Sequence, residues 1–251
     1  MTSLPTISLL TICWNSKKTI LRTIQSVLNQ TILPKEYFFV DGGSTDGTLK
    51  DLEDARRQLE AKNIHCKIIH QKHNPDEAGI PSAWNQGIPE LSGDIIGMLN
   101  SDDWYEPDIL QSVALAFQLN PTNDAVIVPT RFLKNGKTVK IFHPHSFILL
   151  SLLMPIPHPG TFFHKKVYKQ LGLYNTDYKT TADYDFVWRC YKAGIRWECL
   201  SKPMVNMELG GMANSNRASA RLETFQIARK YCHPLSPLPR TAFLLRQLSG
   251  R

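Results

Sequence analysis

Three short segments of the chain gather carboxylates and amides at the ends of apolar runs: Trp14-Asn15-Ser16, Asp41-Gly42-Gly43-Ser44-Thr45-Asp46-Gly47 and Asn100-Ser101-Asp102-Asp103. Taken singly, each is ordinary turn or helix-cap chemistry, because Asp, Asn, Ser and Gly are the residues that close turns and cap helices. Three of them after three strands mean more, since ligands of open parallel sheets bind beyond the carboxyl ends of the strands. The segments are therefore expected to converge on one crevice. Carboxylates where a phosphate would sit call for a divalent cation between them, and Mg2+ or Mn2+ takes oxygen ligands from one or two carboxylates plus substrate phosphates. No G-x-G-x-x-G opens a helix and no G-x-x-x-x-G-K-[ST] occurs, so neither a dinucleotide fold nor a P-loop is supported. A metal-bridged nucleotide diphosphate fits the pattern.

Further along, Asp183 and Asp185 stand two residues apart in Ala182-Asp183-Tyr184-Asp185. On a helix such a pair does not share a face, so only one of them can point at a given ligand. The plain alternative for Asp183 is a helix cap. His158 lies between prolines in Pro157-His158-Pro159, a stiff loop whose imidazole suits either hydrogen bonding or proton transfer. Trp84 is read as core packing.

The elements that must position these residues alternate β-type runs with helix-period segments, the pattern of an α/β domain with a mostly parallel sheet flanked by helices. Ile7 to Cys13 reads as a buried strand, followed by Ile20, Leu21, Ile24, Val27 and Leu28 at helical spacing. Tyr37 to Val40 is a second strand, and a helix carrying Leu49, Leu52 and Leu59 leads to a third strand, Cys66 to His70. A short helix around Ala83 to Ile88 precedes the strand Asp94 to Leu99, and Pro107 opens a further helix. From Ala125 the expectation is a hairpin of two runs, Ala125 to Phe132 and Thr138 to Phe142, turned at Lys134-Asn135-Gly136.

Composition bounds the class. With 251 residues, 42% hydrophobic and 20% charged, the chain can bury a full core and is neither disordered nor coiled coil. The apolar run Phe147 to Met154 is far shorter than the ~20 residues of a membrane-spanning helix. The amino terminus lacks a basic n-region and a cleavage site, so a mature strand and a cytoplasmic location are expected. Five scattered cysteines without a C-x-x-C pair read as free thiols. Of the net charge of +7, residues 217–251 carry +6, with seven basic side chains and one acid, Glu223. This asymmetry points the tail toward an anionic partner. Residues 1–215 are expected to form the α/β domain and 216–251 a helical, basic, amphipathic extension. There Leu222, Phe225 and Ala228, then Phe243, Leu244, Leu245 and Leu248, would face a membrane surface, or, for residues 216–231, the apolar stripe would pack on the catalytic domain. A non-enzymatic nucleic-acid-binding role is disfavoured, because the acidic strand-end segments would repel a phosphate backbone.

The motifs TICWN, FFVDGGSTDGT, GIPSAWNQGI, MLNSDDW, HPGTFF and TTADYDFVWR, in this order and spacing over residues 5 to 212, resemble an inverting family 2 glycosyltransferase of the Rossmann-like GT-A fold. The similarity is to the bacterial members that build capsule, O-antigen or exopolysaccharide. It implies that Ile12, Trp14, Asn15, Asp41, Gly43, Ser44, Asn85, Asn100 and Ser101 hold a nucleotide-diphosphate sugar, with UDP as the expected nucleotide. It implies that Asp102 is the ligand of Mn2+ or Mg2+ in the family's D-x-D position, with Asn100 replacing the first Asp. Asp183 would be the general base, and His158, Gly210 and Gly211 would stand on the acceptor side or in a closing loop. The implied acceptor is a saccharide or a polyprenyl-linked saccharide, reached from the inner face of the plasma membrane and without specific nucleic acid. A sugar-1-phosphate nucleotidyltransferase, which shares the layout, would need a Gly- and Arg/Lys-rich loop near the amino terminus. Thr11 to Lys18 offers none.

Overall fold

The structure, a computed structural model, describes residues 3–72, 79–209, 217–232 and 236–248. In chain order these form β1 (Ile7–Cys13), α1 (Ile20–Leu28), β2 (Glu36–Asp41), α2 (Thr48–Ala61), β3 (His65–His70), α3 (Ile80–Gly87), β4 (Ile95–Met98), β5 (Asp103–Tyr105) and α4 (Ile109–Leu119). There follow β6 (Ala125–Ile127), β7 (Thr130–Lys134), β8 (Lys137–Phe142), β9 (Thr161–His164), α5 (Lys165–Leu171), α6 (Ala182–Lys192), β10 (Trp197–Cys199), β11 (Val205–Glu208), α7 (Arg217–Tyr231) and α8 (Leu238–Leu248).

A seven-stranded sheet runs β10-β6-β9-β4-β1-β2-β3. Within it β9 is antiparallel to β4 and β6, and the remaining pairs are parallel. β1 and β2 are apolar almost throughout because both their faces are covered, as parallel strands require. One face packs Leu9, Tyr37 and Phe39 against Ile24 of α1, Leu52 of α2 and Leu110 of α4. The other packs Leu10, Phe38 and Val40 against Trp84 of α3 and Phe186 of α6. Gly97 on β4 lets β9 lie alongside, since a Cβ there would come within 2.5 Å of the Phe162 ring.

The expected run Ala125 to Phe132 is two strands. β6 lies in the large sheet, whereas β7 joins β5, β11 and β8 in a second, four-stranded sheet. The break falls at Pro129, which has no N–H to give a ladder. The hairpin itself forms as its turn chemistry requires: β7 and β8 pair antiparallel around Asn135 (φ 52°) and Gly136 (φ 72°).

In the carboxyl-terminal segment α7 packs on α6: Ile227 and Ala228 are buried in a cluster with Tyr184, Val187 and Trp188 of α6 and with Leu150 and Ile156. The buried stripe of α7 is Glu223, Ile227 and Ala228, while Leu222 is exposed and Phe225 turns to Phe243 of α8, ring centroids 4.9 Å apart. Among the described residues no helix is long and apolar enough to cross a membrane.

Candidate active site

β4, β1 and β2 are neighbours pointing the same way, so the segments after them emerge side by side. They are sewn together by side chains. The Asn15 N–H donates to Ser44 Oγ at 2.9 Å and its Oδ1 accepts from the Thr45 N–H at 2.9 Å, with Asn15 held at φ 49°. The Ser16 N–H donates to Thr48 Oγ1 at 2.8 Å, and the Ser16 and Ser101 hydroxyls share a hydrogen bond of 2.8 Å. Thr23 of α1 donates to the carbonyls of Ser101 and Asp103 at 3.0 and 2.7 Å. Arg22, one residue earlier, donates to the Asp102 carbonyl at 2.8 Å and stacks over Trp104 at 3.8 Å. All three expected segments thus meet at one end of the sheet.

Within this cluster Asp41 is 2% exposed. Its Oδ2 accepts from the Gly43 and Ser44 N–H groups at 3.1 and 3.0 Å, and its Oδ1 from Ser44 Oγ at 2.6 Å. Its first task is to hold its own loop, in which Gly43 sits at φ 84°, a backbone only glycine adopts without strain. A base N–H would have to compete with the Ser44 hydroxyl for Oδ1. Trp14 is 53% exposed at the mouth, and Ile12 packs below it beside the Trp84 cluster.

The Asn100 amide donates to Asp103 Oδ2 at 2.8 Å. Asp103 is 1% exposed, and burial together with the neighbouring Asp102 charge pushes its carboxyl well above the usual range. Asn100 is thus the donor that a buried carboxyl group needs, a second carboxylate in its place would repel it, and only the Asn100 carbonyl remains for a ligand. Asp102 is half-buried, and burial raises its carboxyl while Arg22 pulls it back. It is a carboxylate whose charge is incompletely met. A divalent cation fits that position. Among the described residues there is no group of three His, Cys, Asp or Glu able to hold a metal alone, so such an ion would take its other ligands from a diphosphate and water.

A second cluster lies at the start of α6. Asp183 does not cap the helix, since α6 begins at Ala182 with Thr181 as its N-cap residue. Its Oδ1 accepts from the Tyr184 N–H at 2.8 Å, and burial pushes its pKa up to about 6. The Tyr174 phenol lies near enough to feel the Asp183 charge. Tyr174 packs on Trp84 with ring centroids 4.8 Å apart, and Trp84 stacks on His158 at 4.5 Å. Among the described residues the buried His158 Nε2 has no hydrogen-bond partner, and burial lowers the imidazole pKa to about 4, so the ring is neutral. Asn85 is committed to the backbone of Tyr174, donating to its carbonyl at 2.8 Å and accepting from its N–H at 2.9 Å. It clamps α3 to the Tyr174 segment. The clusters are joined by Tyr105, two residues past Asp103, whose hydroxyl donates to the Pro159 carbonyl at 3.0 Å. Gly210 and Gly211 lie outside the described residues.

Sequence reasoning missed Arg22, Tyr174 and Glu223. For Glu223 a signal existed, a lone acid in a strongly basic segment, but it entered only as a charge.

A doubly covered, mostly parallel sheet whose strand-end loops meet at one end gives this chain the GT-A type of α/β fold. The family model "Glycosyl transferase family 2" matches residues 8–196. The chain belongs to that family of glycosyltransferases. It is 37% identical over 107 residues to the chondroitin synthase of Escherichia coli, 43% of this chain and 14% of that one. It is 31% identical over 176 residues to a PGL/p-HBAD biosynthesis glycosyltransferase of Mycobacterium bovis, 67% of this chain and 62% of that one. The chain thus spans less than two thirds of either relative. In fold it is similar to residues 1–349 of S. aureus TarS in complex with UDP, with a TM-score of 0.72 at 19% identity over 97% of this chain and 72% of that one. The mannosyltransferase PcManGT of Pyrobaculum calidifontis, in complex with GDP-Man and Mn2+, matches with a TM-score of 0.71 at 18% identity over 98% and 71% of the two chains.

Proposed function

We propose that the chain is an inverting, divalent-metal-dependent glycosyltransferase of surface polysaccharide synthesis, acting on a hydroxyl of a saccharide or polyprenyl-linked saccharide. The observation that carries this reading is Asp183, a partly buried carboxylate with a pKa of about 6, joined through Tyr174, Trp84 and His158 to the loops at the strand ends. At neutral pH it is ionised yet keeps more basicity than an exposed carboxylate, as a general base should. The acceptor hydroxyl gives its proton to Asp183, and its oxygen forms a bond to the anomeric carbon. The bond from that carbon to the diphosphate oxygen breaks on the opposite face, which inverts the anomeric configuration.

The nucleoside would lie against Ile12, Trp14, Asn15 and the Gly43-Ser44 turn, and Asp41 would hold that turn in shape. Ser101 and the Asn100 carbonyl would line the ribose and diphosphate side. Mn2+ or Mg2+ held by Asp102 would neutralise the charge of the departing diphosphate. Such assistance suits a site where one full carboxylate, and not two, is available. His158, neutral and stacked on Trp84, would line the acceptor side, and Gly210 and Gly211 would belong to a closing loop. Docking on an anionic membrane surface is supported by α8, which exposes Leu238, Leu244 and Leu245 beside Arg240; the cytoplasmic face is the side on which a nucleotide-sugar donor would be met.

The test is a thermal-shift panel of UDP-, GDP- and dTDP-sugars with Mn2+, because selective binding to the folded state raises the melting temperature by mass action. A shift confined to UDP-sugars is the expected result. No shift with any nucleotide sugar contradicts the reading.

A further inference from the structure

We infer that α7 is part of the catalytic apparatus, with Glu223 acting as a positioning residue that fixes Asp183 by holding, from another helix, the backbone that leads into α6. This rests on the proposed role of Asp183. α6 begins at Ala182 behind the N-cap residue Thr181, whose side chain makes no capping bond. Glu223, 9% exposed and 42 residues beyond Thr181, binds the residues just ahead of the helix. Its Oε1 accepts from the Lys179 N–H at 3.0 Å. Its Oε2 accepts from the Thr180 and Thr181 N–H groups, each at 2.9 Å, and from Thr181 Oγ1 at 3.1 Å. The carboxylate therefore gathers the strand of backbone that feeds Asp183 into the first turn, and its charge favours that end of the helix dipole.

A second tether joins the same two helices. Asp185, 1% exposed, accepts from the Tyr231 hydroxyl at 2.9 Å and from Lys230 Nζ at 3.3 Å. It also holds Arg189 Nε at 2.9 Å, and the Arg189 guanidinium donates to the carbonyls of Leu171 and Leu173 at 2.8 Å each. Leu173 precedes Tyr174, which Asn85 clamps. Both ends of the first α6 turn, with the aromatic wall beside Asp183, are thus referred to α7. Four backbone and hydroxyl donors converge on one buried acid, and they belong to the three residues that run directly into the turn carrying Asp183.

The groups facing Asp183 are the Tyr174 phenol and the Glu223 carboxylate, while Lys230 and Tyr231 face Asp185. The Glu223 charge raises the Asp183 pKa, so its removal has a signature that a merely structural contact lacks. In the full chain, Glu223→Gln is expected to lower kcat by about ten- to a hundredfold, the scale on which a misplaced catalytic group acts. The acidic limb of the kcat profile moves to lower pH, and affinity for UDP with Mn2+ is unchanged. Turnover is read as nucleotide diphosphate release from the donor that the panel identifies, with Asp183→Asn run beside it. If Asp183→Asn collapses turnover while Glu223→Gln changes neither kcat nor the limb, the inference about Glu223 is overturned and the base stands. A fall in kcat with an unmoved limb reduces Glu223 to an ordinary structural contact and also overturns it. If Asp183→Asn keeps turnover, the base assignment fails first. Should Glu223→Gln not fold, Glu223→Asp carries the test, because it keeps the charge but withdraws it by one methylene. It is expected to lower kcat with the limb in place, and parent-like kcat contradicts the inference.

Discussion

Burial raises the carboxyls of both Asp102 and Asp183, but the two would serve different partners, and each role can be measured. Asp102 is the full negative charge at the strand ends, whereas Asn100 spends its amide on Asp103. Asp102→Ala should abolish Mn2+-dependent binding of nucleotide diphosphate. Asn100→Ala should weaken binding less and cost more in stability, about 1–3 kcal/mol, the range for leaving a buried polar group unsatisfied. Calorimetry and urea melts of the two variants decide, and equal losses of binding, or tight binding in EDTA, would contradict the assignment. Asp183 makes the opposite kind of prediction. Its pKa rises from 3.8 to about 6 on folding, so the folded state holds the proton more tightly than the unfolded chain. The resulting cost is absent below the ordinary carboxylate range and fully present above pH 6. Asp183→Asn should therefore be more stable than the parent at neutral pH, by up to about 3 kcal/mol, and the gain should vanish toward pH 4. Melting curves at pH 4 and 7.5 test it, and a pH-independent difference would show that Asp183 is not held by burial.

The elements that carry the donor loops could be read from the chain because their signals are local. β1 and β2 are buried on both faces and so write continuous apolar runs, and the turns after them need the Gly, Asn and Asp that mark them. Their boundaries fall within a residue or two of expectation. Features that escaped depend on distant partners. The switch between sheets at Pro129 depends on which sheet each flanking strand joins. The stripe of α7 was misread because Leu222 and Ile227 look alike until α6 and α8 are in place. Glu223 looked like a stray charge, since its partners lie at residues 179–181. Asn85 belongs to this group, a polar side chain whose ligand is the backbone of Tyr174. Asn85→Ala should cost about 1–3 kcal/mol in a urea melt, because it orphans a donor and an acceptor on that backbone. It should lower turnover without changing affinity for nucleotide diphosphate. A variant that loses nucleotide affinity in step with turnover would return Asn85 to the donor site.

At the scale of the whole molecule, the charge asymmetry of the sequence divides between two helices with different duties. α7 turns Glu223, Ile227 and Ala228 inward and completes the core, while α8 leaves Leu238, Leu244 and Leu245 exposed. The triple variant Leu238→Ser, Leu244→Ser, Leu245→Ser should keep the melting temperature, since those side chains are already in water. It should lose flotation with phosphatidylglycerol vesicles that the parent chain shows at low salt; equal flotation of the two would remove α8 as the docking element. Docking would place the chain at the surface where a lipid-linked acceptor of the proposed reaction resides. The measurement that bears most directly on this arrangement is the transfer rate of Asp183→Asn beside its affinity for nucleotide diphosphate and Mn2+. Turnover should fall by about 10²- to 10⁴-fold, as for loss of a general base, with affinity intact and with the parent rate falling as pH drops below about 6. Near-normal turnover in a folded, donor-binding Asp183→Asn chain would contradict the account.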